Sequence, residues 1–187
     1  MRIYVGYDTR EDLAYEVCKY SIHRKNKKVE VIPLKLSTMR ELGIYTREVD
    51  KKASTEFTFS RFFVPYLMDY KGWAMFVDCD FLFLSDPAEV FDMADKNFAV
   101  QVVKHDYKTK VKNKYWGNKN EDYPRKNWSS LILWNCNHDS HKILTPEFIQ
   151  KQTGAFLHRF NWIKDDAIGE INKEWNWLAM ELSLIHI

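Results

Sequence analysis

The segment that most limits the fold of this chain is Trp73–Val77, five apolar residues in a row that end directly at the acids Asp78 and Asp80. An uninterrupted apolar run of this length predicts a strand buried on both faces of a sheet. Residues i and i+2 of a strand point to the same side, so the two carboxylates could converge on one cation. Mg²⁺ and Mn²⁺ prefer oxygen ligands and are usually held by one or two carboxylates together with substrate phosphates. The pattern predicts a divalent-cation site where this strand ends, with a turn or capping role for the two acids as the alternative.

The N-terminal segment predicts a strand, a helix and a second strand. Residues 2–7 and residues 29–34 are apolar and favour strands. Between them, Asp8 could cap a helix that has Glu11 three residues later and apolar residues at helical spacing through about His23. An opening of this kind indicates an α/β fold.

The rest of the chain continues this alternation. Its segments are predicted as helices at 56–70 and 86–94, strands at 98–103 and 131–134, and irregular connections at 36–55 and 104–126. Pro65 should either bend the first of these helices or mark a late start for it, because proline lacks the amide hydrogen that a helix interior needs. Since no repeat or linker divides the sequence, one α/β domain is predicted.

Composition excludes several classes of protein. The 187 residues carry a net charge of only +2 with acids and bases mixed, which argues against a nucleic-acid partner. No apolar run approaches the ~18 residues of a membrane span, and the N-terminus lacks the apolar core of a signal peptide. The three cysteines, Cys18, Cys79 and Cys136, have neither zinc-site spacing nor a disulfide pattern. A cytoplasmic protein without a transmembrane segment is expected.

Five stretches of the sequence, in this order, resemble the glycosyltransferases of the GT-A fold, near glycosyltransferase family 8. They are IYVGYD at the start, STEFTFSRFFVP at 54–65, GWAMFVDCDFLFLSDP at 72–87, NWSSLILWNC at 127–136 and LHRFNWIKDDAIGEINKEWNWL at 157–178. The resemblance implies a single GT-A domain at 1–178. This domain would be a Rossmann-like three-layer sandwich with a mixed, mostly parallel central sheet that binds a nucleotide-sugar on its N-terminal half.

The resemblance also implies roles for individual residues. Asp78 and Asp80 match the metal-binding D-x-D motif, which would hold Mn²⁺ or Mg²⁺ on the donor diphosphate. Arg61 matches the basic residue of the T-x-F-x-x-x-R-F segment that begins at Thr55, and is expected near that diphosphate. Asp8 lies where the family contacts the base and ribose, with a helix cap as its alternative role. The further donor-binding candidates are Tyr7, Cys79, Asn127, Ser129 and Ser130.

Asp165 and Asp166 fall on the family's acid-glutamine-acid segment, which contacts the donor sugar, and they are the catalytic candidates. Two registers remain open. If Asp165 is the first acid, Asp166 stands in the glutamine place and Ala167 replaces the second acid. If Asp166 is the second acid, Lys164 replaces the first. A role as solvated acids at a helix start is the alternative for both.

The C-terminal residues depart from the family. Members normally end near H-x-x-G-x-x-P-W, whose histidine is the third protein ligand of the metal. Residues 179–187 instead form an atypical apolar tail, AMELSLIHI, in which His186 lacks the accompanying glycines and tryptophan. The metal and the donor are therefore expected to bind more weakly than in a member with the usual ending.

Together these features predict a metal-dependent, hexosyltransferase-like enzyme that moves a sugar from a nucleotide diphosphate to a saccharide or other acceptor hydroxyl with retention. A UDP-sugar is the favoured donor. One alternative is a haloacid-dehalogenase-like phosphatase, whose nucleophile would be Asp78 and whose later lysine and acid pair could be Lys164–Asp166. A catalytically weak nucleotide- or sugar-binding module is the other alternative.

Overall fold

The computed structural model of the chain describes residues 1–48, 53–106 and 124–178. The predicted apolar tail at 179–187 and most of the predicted connection at 104–126 lie outside these ranges.

A six-stranded sheet organises the described residues, with the strand order β2-β1-β3-β5-β4-β6. The strands in chain order are β1 (Arg2–Gly6), β2 (Glu30–Leu34), β3 (Trp73–Val77), β4 (Val100–Val102), β5 (Leu131–Asn135) and β6 (Ile168–Glu170). β1 pairs in parallel with both β2 and β3, and β4 pairs in parallel with β6. β5 runs antiparallel to its neighbours β3 and β4. The prediction of a mixed α/β fold with a mostly parallel sheet is confirmed.

The centre of this sheet is dry. Ala74, Met75, Phe76 and Val77 of β3 have no exposed surface, and every residue of β5 is buried. Apolar side chains on successive positions of a strand suit only a strand that is covered on both faces. The apolar run therefore predicted β3 with its correct bounds.

The helices are short apart from the first. They are α1 (Asp12–Lys25), α2 (Leu36–Glu41), α3 (Val64–Leu67), α4 (Ala88–Asp92), α5 (Pro146–Lys151) and α6 (Gly154–His158). The expectation that Asp8 caps the first helix is wrong, because Glu11 occupies the N-cap position. The carboxylate of Asp8 instead accepts hydrogen bonds from Arg10 and from the amide of Glu56.

The long helix predicted at 56–70 is also wrong. This segment forms two 3₁₀ turns, Glu56–Thr58 and Ser60–Phe63, followed by α3. Pro65 marks a late helix start, as one of the two alternatives predicted: it lies in the first turn of α3, where a missing amide hydrogen removes no helical bond. In addition, α2 occupies part of the stretch that was predicted as irregular.

The end of β1 lies directly against the first 3₁₀ turn. A Cβ atom at Gly6 would lie 2.5 Å from Cδ2 of Phe57 and 2.6 Å from its Cγ. Glycine is therefore needed here for close approach and not for an unusual backbone angle.

We expect Gly6→Ala to lower the free energy of unfolding by about 1–3 kcal/mol, because Phe57 must move out of a packed position. The matched control is Gly154→Ala, since the nearest atom to its added Cβ lies 3.8 Å away, an ordinary contact. The control should change stability by less than about 1 kcal/mol. Urea denaturation measures both, and an equal effect of the two substitutions would contradict the packing argument.

A buried histidine contacts the residue that directly precedes β4. His141 has no exposed surface, and its Nε2 lies 2.9 Å from the carbonyl oxygen of Ala99. Its Nδ1 accepts a hydrogen bond from Nε1 of Trp162 at 3.4 Å. These partners fix a neutral ring with its proton on Nε2, and burial lowers the pKa of His141 to about 4.

This histidine should make the protein sensitive to acid. The unfolded chain takes up a proton near pH 6.5 while the folded chain resists it, so stability present above pH 6.5 is lost as the pH falls toward about 4. The loss from this one group is up to about 3 kcal/mol. Thermal unfolding measured from pH 7 to pH 4 should show a smaller loss of stability for His141→Gln than for wild type. An equal loss of stability in the two proteins would contradict the lowered pKa of His141.

Candidate active site

Asp78 and Asp80 leave the sheet at the end of β3. The strand stops at Val77, and residues 79–80 form a turn. The premise that both acids stand within one strand is therefore wrong. They are nevertheless close enough to interact, since the charge of Asp80 contributes to raising the pKa of Asp78.

A buried arginine stands against the first of these acids. Nη1 of Arg61 lies 2.8 Å from Oδ1 of Asp78 and donates a hydrogen bond to the carbonyl oxygen of Ser129, also at 2.8 Å. The guanidinium lies near the rings of Phe57 and Phe76, at 5.3 and 4.9 Å from their centres. Because these contacts leave Arg61 only 5% exposed, its charge is fixed in place.

The environment of Asp78 disfavours its charged form. Burial raises the pKa of this carboxyl to about 7; Arg61 works against the rise and Asp80 adds to it. Desolvation by neighbouring atoms also raises the pKa of Asp80, although this residue is exposed at the surface and the effect is therefore weakened by solvent. Oδ1 of Asp78 is buried against Arg61, whose Nη1 lies 2.8 Å away.

These features fit a divalent cation held by two carboxylates. A positive ion would favour the ionised form of both acids. Within the three described ranges no group of three or more histidine, cysteine or acidic residues could hold a metal. Its other ligands would thus come from water or from a phosphate, as is usual for Mg²⁺.

A cavity of about 720 Å³ opens beside Asp78. Five of the predicted site residues line it: Arg61, Asp78, Asn127, Ser129 and Ser130. This volume is that of a small-molecule site.

The reversed direction of β5 brings the polar segment before it to this cavity. The amide of Asp78 donates to the carbonyl oxygen of Ser130 at 3.0 Å, so the start of β5 lies beside the end of β3. Asn127 has a φ of 63°, which turns the chain into the short 3₁₀ helix Trp128–Ser130.

The carboxylate of Asp8 is fully engaged within the protein. Oδ1 accepts from the amide and from Nε of Arg10 at 2.9 and 2.8 Å, while Oδ2 accepts from Nη2 of Arg10 at 2.6 Å and the amide of Glu56 at 3.0 Å. Burial opposes the charge, but these hydrogen bonds outweigh it and lower the pKa of Asp8. Arg10 also donates to the carbonyl oxygen of Ser54, a residue that lines the cavity. Asp8 therefore fixes the border of the cavity, and its contact with a base or ribose stays a prediction.

Tyr7, Thr55 and Cys79 are not among the residues that line the cavity. The hydroxyl of Tyr7 donates to Asp12 at 2.6 Å, and the thiol of Cys79 donates to Glu11 at 3.2 Å. Thr55 and Thr58 cap the 3₁₀ turn between them reciprocally. Each of these candidates thus has a structural contact, and their donor-binding roles stay predictions.

Asp165 and Asp166 also lie away from the residues that line the cavity. They begin the short 3₁₀ helix Asp165–Ala167 and are exposed. Nη2 of Arg125 lies 2.5 Å from Oδ1 of Asp165, whose side chain is 87% exposed. Both registers against the acid-glutamine-acid segment stay open, and the catalytic role of these acids stays a prediction.

The sequence did not point to Arg47, Thr153 or His158, which also line the cavity. Nη1 of Arg47 donates to the carbonyl oxygens of Gln150 and Gln152 at 2.8 and 2.9 Å. Thr153 caps α6, whose last residue is His158. The threonine before a helix was a usable local signal. No local signal in the sequence indicated that Arg47 and His158 would contact distant segments.

No helix among the residues that the structure describes has the length and apolar character needed to span a membrane.

Comparison with known proteins shows a relative and several proteins of similar fold. The chain is 53% identical over 178 residues to Protein CDI from Arabidopsis thaliana, and the aligned region covers 95% of this chain and 69% of the relative. No protein-family model matches the chain.

Among solved structures, the chain is similar to the bifunctional glycosyltransferase WbbM, with a TM-score of 0.62 and 14% identity over 94% of this chain and 39% of WbbM. The glycosyltransferase GlyE of Streptococcus pneumoniae gives 0.57 and 14% over 94% of this chain and 46% of GlyE. The galactosyltransferase LgtC, solved with donor and acceptor sugar analogues, gives 0.56 and 10% over 92% of this chain and 74% of LgtC. The chain spans less than half of the first two proteins, and at these identities the likeness establishes the fold, which is of GT-A type.

The pKa of Asp78 predicts an unusual pH dependence of stability. The folded protein binds a proton at Asp78 more readily than the unfolded chain does. The contribution of this group to the free energy of unfolding is therefore fully present below pH 3.8 and is lost as the pH rises through about 7. The variant Asp78→Asn lacks this titrating group. In EDTA, its free energy of unfolding minus that of wild type should therefore rise by up to about 4 kcal/mol from pH 4 to pH 8. Chemical denaturation measures this difference, and a constant value across the range would contradict the raised pKa.

Proposed function

We propose that this chain, which belongs to the family of Protein CDI from Arabidopsis thaliana, is a glycosyltransferase of the family 8 kind, because its fold is of GT-A type. It would move a sugar from a nucleotide diphosphate to the hydroxyl of a saccharide or other acceptor. The observation that carries this proposal is the cluster of Arg61, Asp78 and Ser129 within one ligand-sized cavity.

Arg61 is suited to bind the donor diphosphate. Its guanidinium is held by aromatic rings and a carbonyl oxygen, so its charge needs no reorganisation when negative charge develops nearby. A fixed cation in a dry site stabilises a leaving phosphate more than a mobile surface lysine would.

Asp78 and Asp80 are the proposed ligands of Mn²⁺ or Mg²⁺. The bound ion would neutralise charge on the diphosphate leaving group. The protein's own part is to hold two carboxylates at the end of β3 and to keep one of them beside Arg61.

The proposed transfer forms a bond between the acceptor oxygen and the anomeric carbon and breaks the bond from that carbon to the phosphate oxygen. The acceptor proton passes to the leaving phosphate, and the nucleotide leaves as the diphosphate. In a retaining transfer both events take place on one face of the sugar. The site would then act mainly by positioning and by stabilising charge. A UDP-hexose is the proposed donor.

One observation favours a second candidate, a nucleotide- or sugar-binding module. Asp165 and Asp166, the proposed catalytic acids, are not among the residues that line the cavity. Binding without turnover would follow if no group reaches the reacting sugar. The phosphatase alternative gains no comparable support, since Asp78 follows β3 and not β1, and its carboxylate pairs with Arg61.

A thermal-shift panel tests the proposal. It combines UDP, GDP, CDP and ADP with Mn²⁺, Mg²⁺ or EDTA, at ligand concentrations far above the dissociation constant. We expect one nucleotide, UDP, to raise the melting temperature by about 5–10 °C in the presence of metal, since ligand at ~100 times its Kd adds about 2.7 kcal/mol. The double variant Asp78→Asn/Asp80→Asn should lose this rise.

Asp69→Asn is the matched control, because Asp69 is an exposed acid whose pairing with Lys71 lies outside the cavity. It should behave as wild type. No metal-dependent shift with any nucleotide would overturn the proposed function. Release of UDP from UDP-glucose or UDP-galactose, lost in Asp165→Asn/Asp166→Asn while the shift persists, would distinguish a transferase from a binding module.

A further inference from the structure

A continuous series of polar contacts crosses the wall of the cavity. It begins with the charged pair of Asp78 and Arg61, 2.8 Å apart, and continues from Arg61 to the carbonyl oxygen of Ser129, also at 2.8 Å. It ends at the side chain of Ser129, whose Oγ lies 2.7 Å from Nδ1 of His158. All four residues line the cavity.

The residues of this series change from charged groups at one end to uncharged hydrogen-bonding groups at the other. Arg61 and Asp78 are charged groups and suit a phosphate and its metal ion. The hydroxyl of Ser129 and the imidazole of His158 can each donate or accept a hydrogen bond, which suits the hydroxyl of a sugar. Thr153 adds a further hydroxyl-bearing residue to the cavity beside α6.

His158 is held rigidly for such a role. Its ring packs edge-on against Phe62, with the ring centres 5.1 Å apart, and Phe62 is fully buried. Ser129 is itself 5% exposed and is fixed on its other side through its carbonyl oxygen. A polar group whose orientation is set by packing and by a second hydrogen bond discriminates well between positions of a substrate hydroxyl.

We infer that the Ser129–His158 pair binds a hydroxyl of the transferred sugar and so contributes to the choice of donor sugar. This inference rests on the proposed function, and it adds to that function a specificity pair on the sugar side of the site. The phosphate side is Arg61 with Asp78, and the shared residue Ser129 sets the distance between the two.

Calorimetric titration of UDP, UDP-glucose and UDP-galactose in the presence of Mn²⁺ tests this assignment. His158→Phe keeps a ring against Phe62 but removes the bond to Ser129, and Ser129→Ala removes the same bond from the other side. Both should weaken the preferred UDP-sugar by about 3- to 10-fold, the value of one hydrogen bond, and leave UDP itself within about twofold. His158→Asn, which restores a polar atom near the position of Nδ1, should recover most of the loss.

The chain offers a matched control in a second serine–histidine pair. Nδ1 of His138 lies 2.8 Å from Oγ of Ser140, and neither residue lines the cavity. His138→Phe should leave the affinity for UDP and for both UDP-sugars unchanged.

The outcomes separate the two proposals. If the variants bind UDP and the UDP-sugars as wild type does, or weaken all three equally, the specificity role is overturned and the proposed function stands. If wild type binds neither UDP nor a UDP-sugar, the proposed function fails and this inference fails with it. Retained binding of UDP also shows that a variant is folded.

Discussion

The ion pair of Arg61 with Asp78 is the interaction on which the site depends. Arg61 is a buried cation with the carboxyl group of Asp78 beside it, and leaving a buried charge without its partner typically costs about 3–5 kcal/mol. The pair joins three segments that are distant in sequence: the 3₁₀ turn that carries Arg61, the end of β3, and the start of β5 through Ser129. A cavity with a fixed charge distribution results from this one contact.

The reversed strand β5 explains how those segments meet. In a fully parallel sheet, the ends of neighbouring strands at one edge are all carboxyl ends. Here the carboxyl end of β3 lies beside the amino end of β5, as the bond from Asp78 to Ser130 shows. The polar turn before β5 can therefore face the acids after β3, and both lie on the same cavity.

Sequence could predict those parts of the fold and site in which local pattern and tertiary environment agree. Trp73–Val77 is such a case, because an apolar run and a doubly buried strand have the same requirement. The resemblance implied donor-binding roles for Arg61, Asp78, Asn127, Ser129 and Ser130, and these five residues line one cavity, while their binding of a donor stays a prediction.

Prediction failed where a distant partner decides the local structure. Asp8 carries the local signal of a helix cap, yet its carboxylate is taken by Arg10 and by Glu56, 48 residues away. His158 reaches Ser129 across 29 residues and gives no local sign of doing so. β6, with only three residues, is too short to give a periodic pattern.

The strand order also has a kinetic consequence. β1 pairs with β3, some seventy residues later, and β4 pairs with β6 across a similar separation, so loops of this length must close before the sheet exists. Chains dominated by such distant pairings fold slowly. During synthesis, β1, α1 and β2 can associate early, whereas Asp78 must wait for Ser129 and Ser130 to emerge. The newly made chain therefore carries its acidic motif unshielded, with the apolar β3 beside it, until more than fifty further residues have been added.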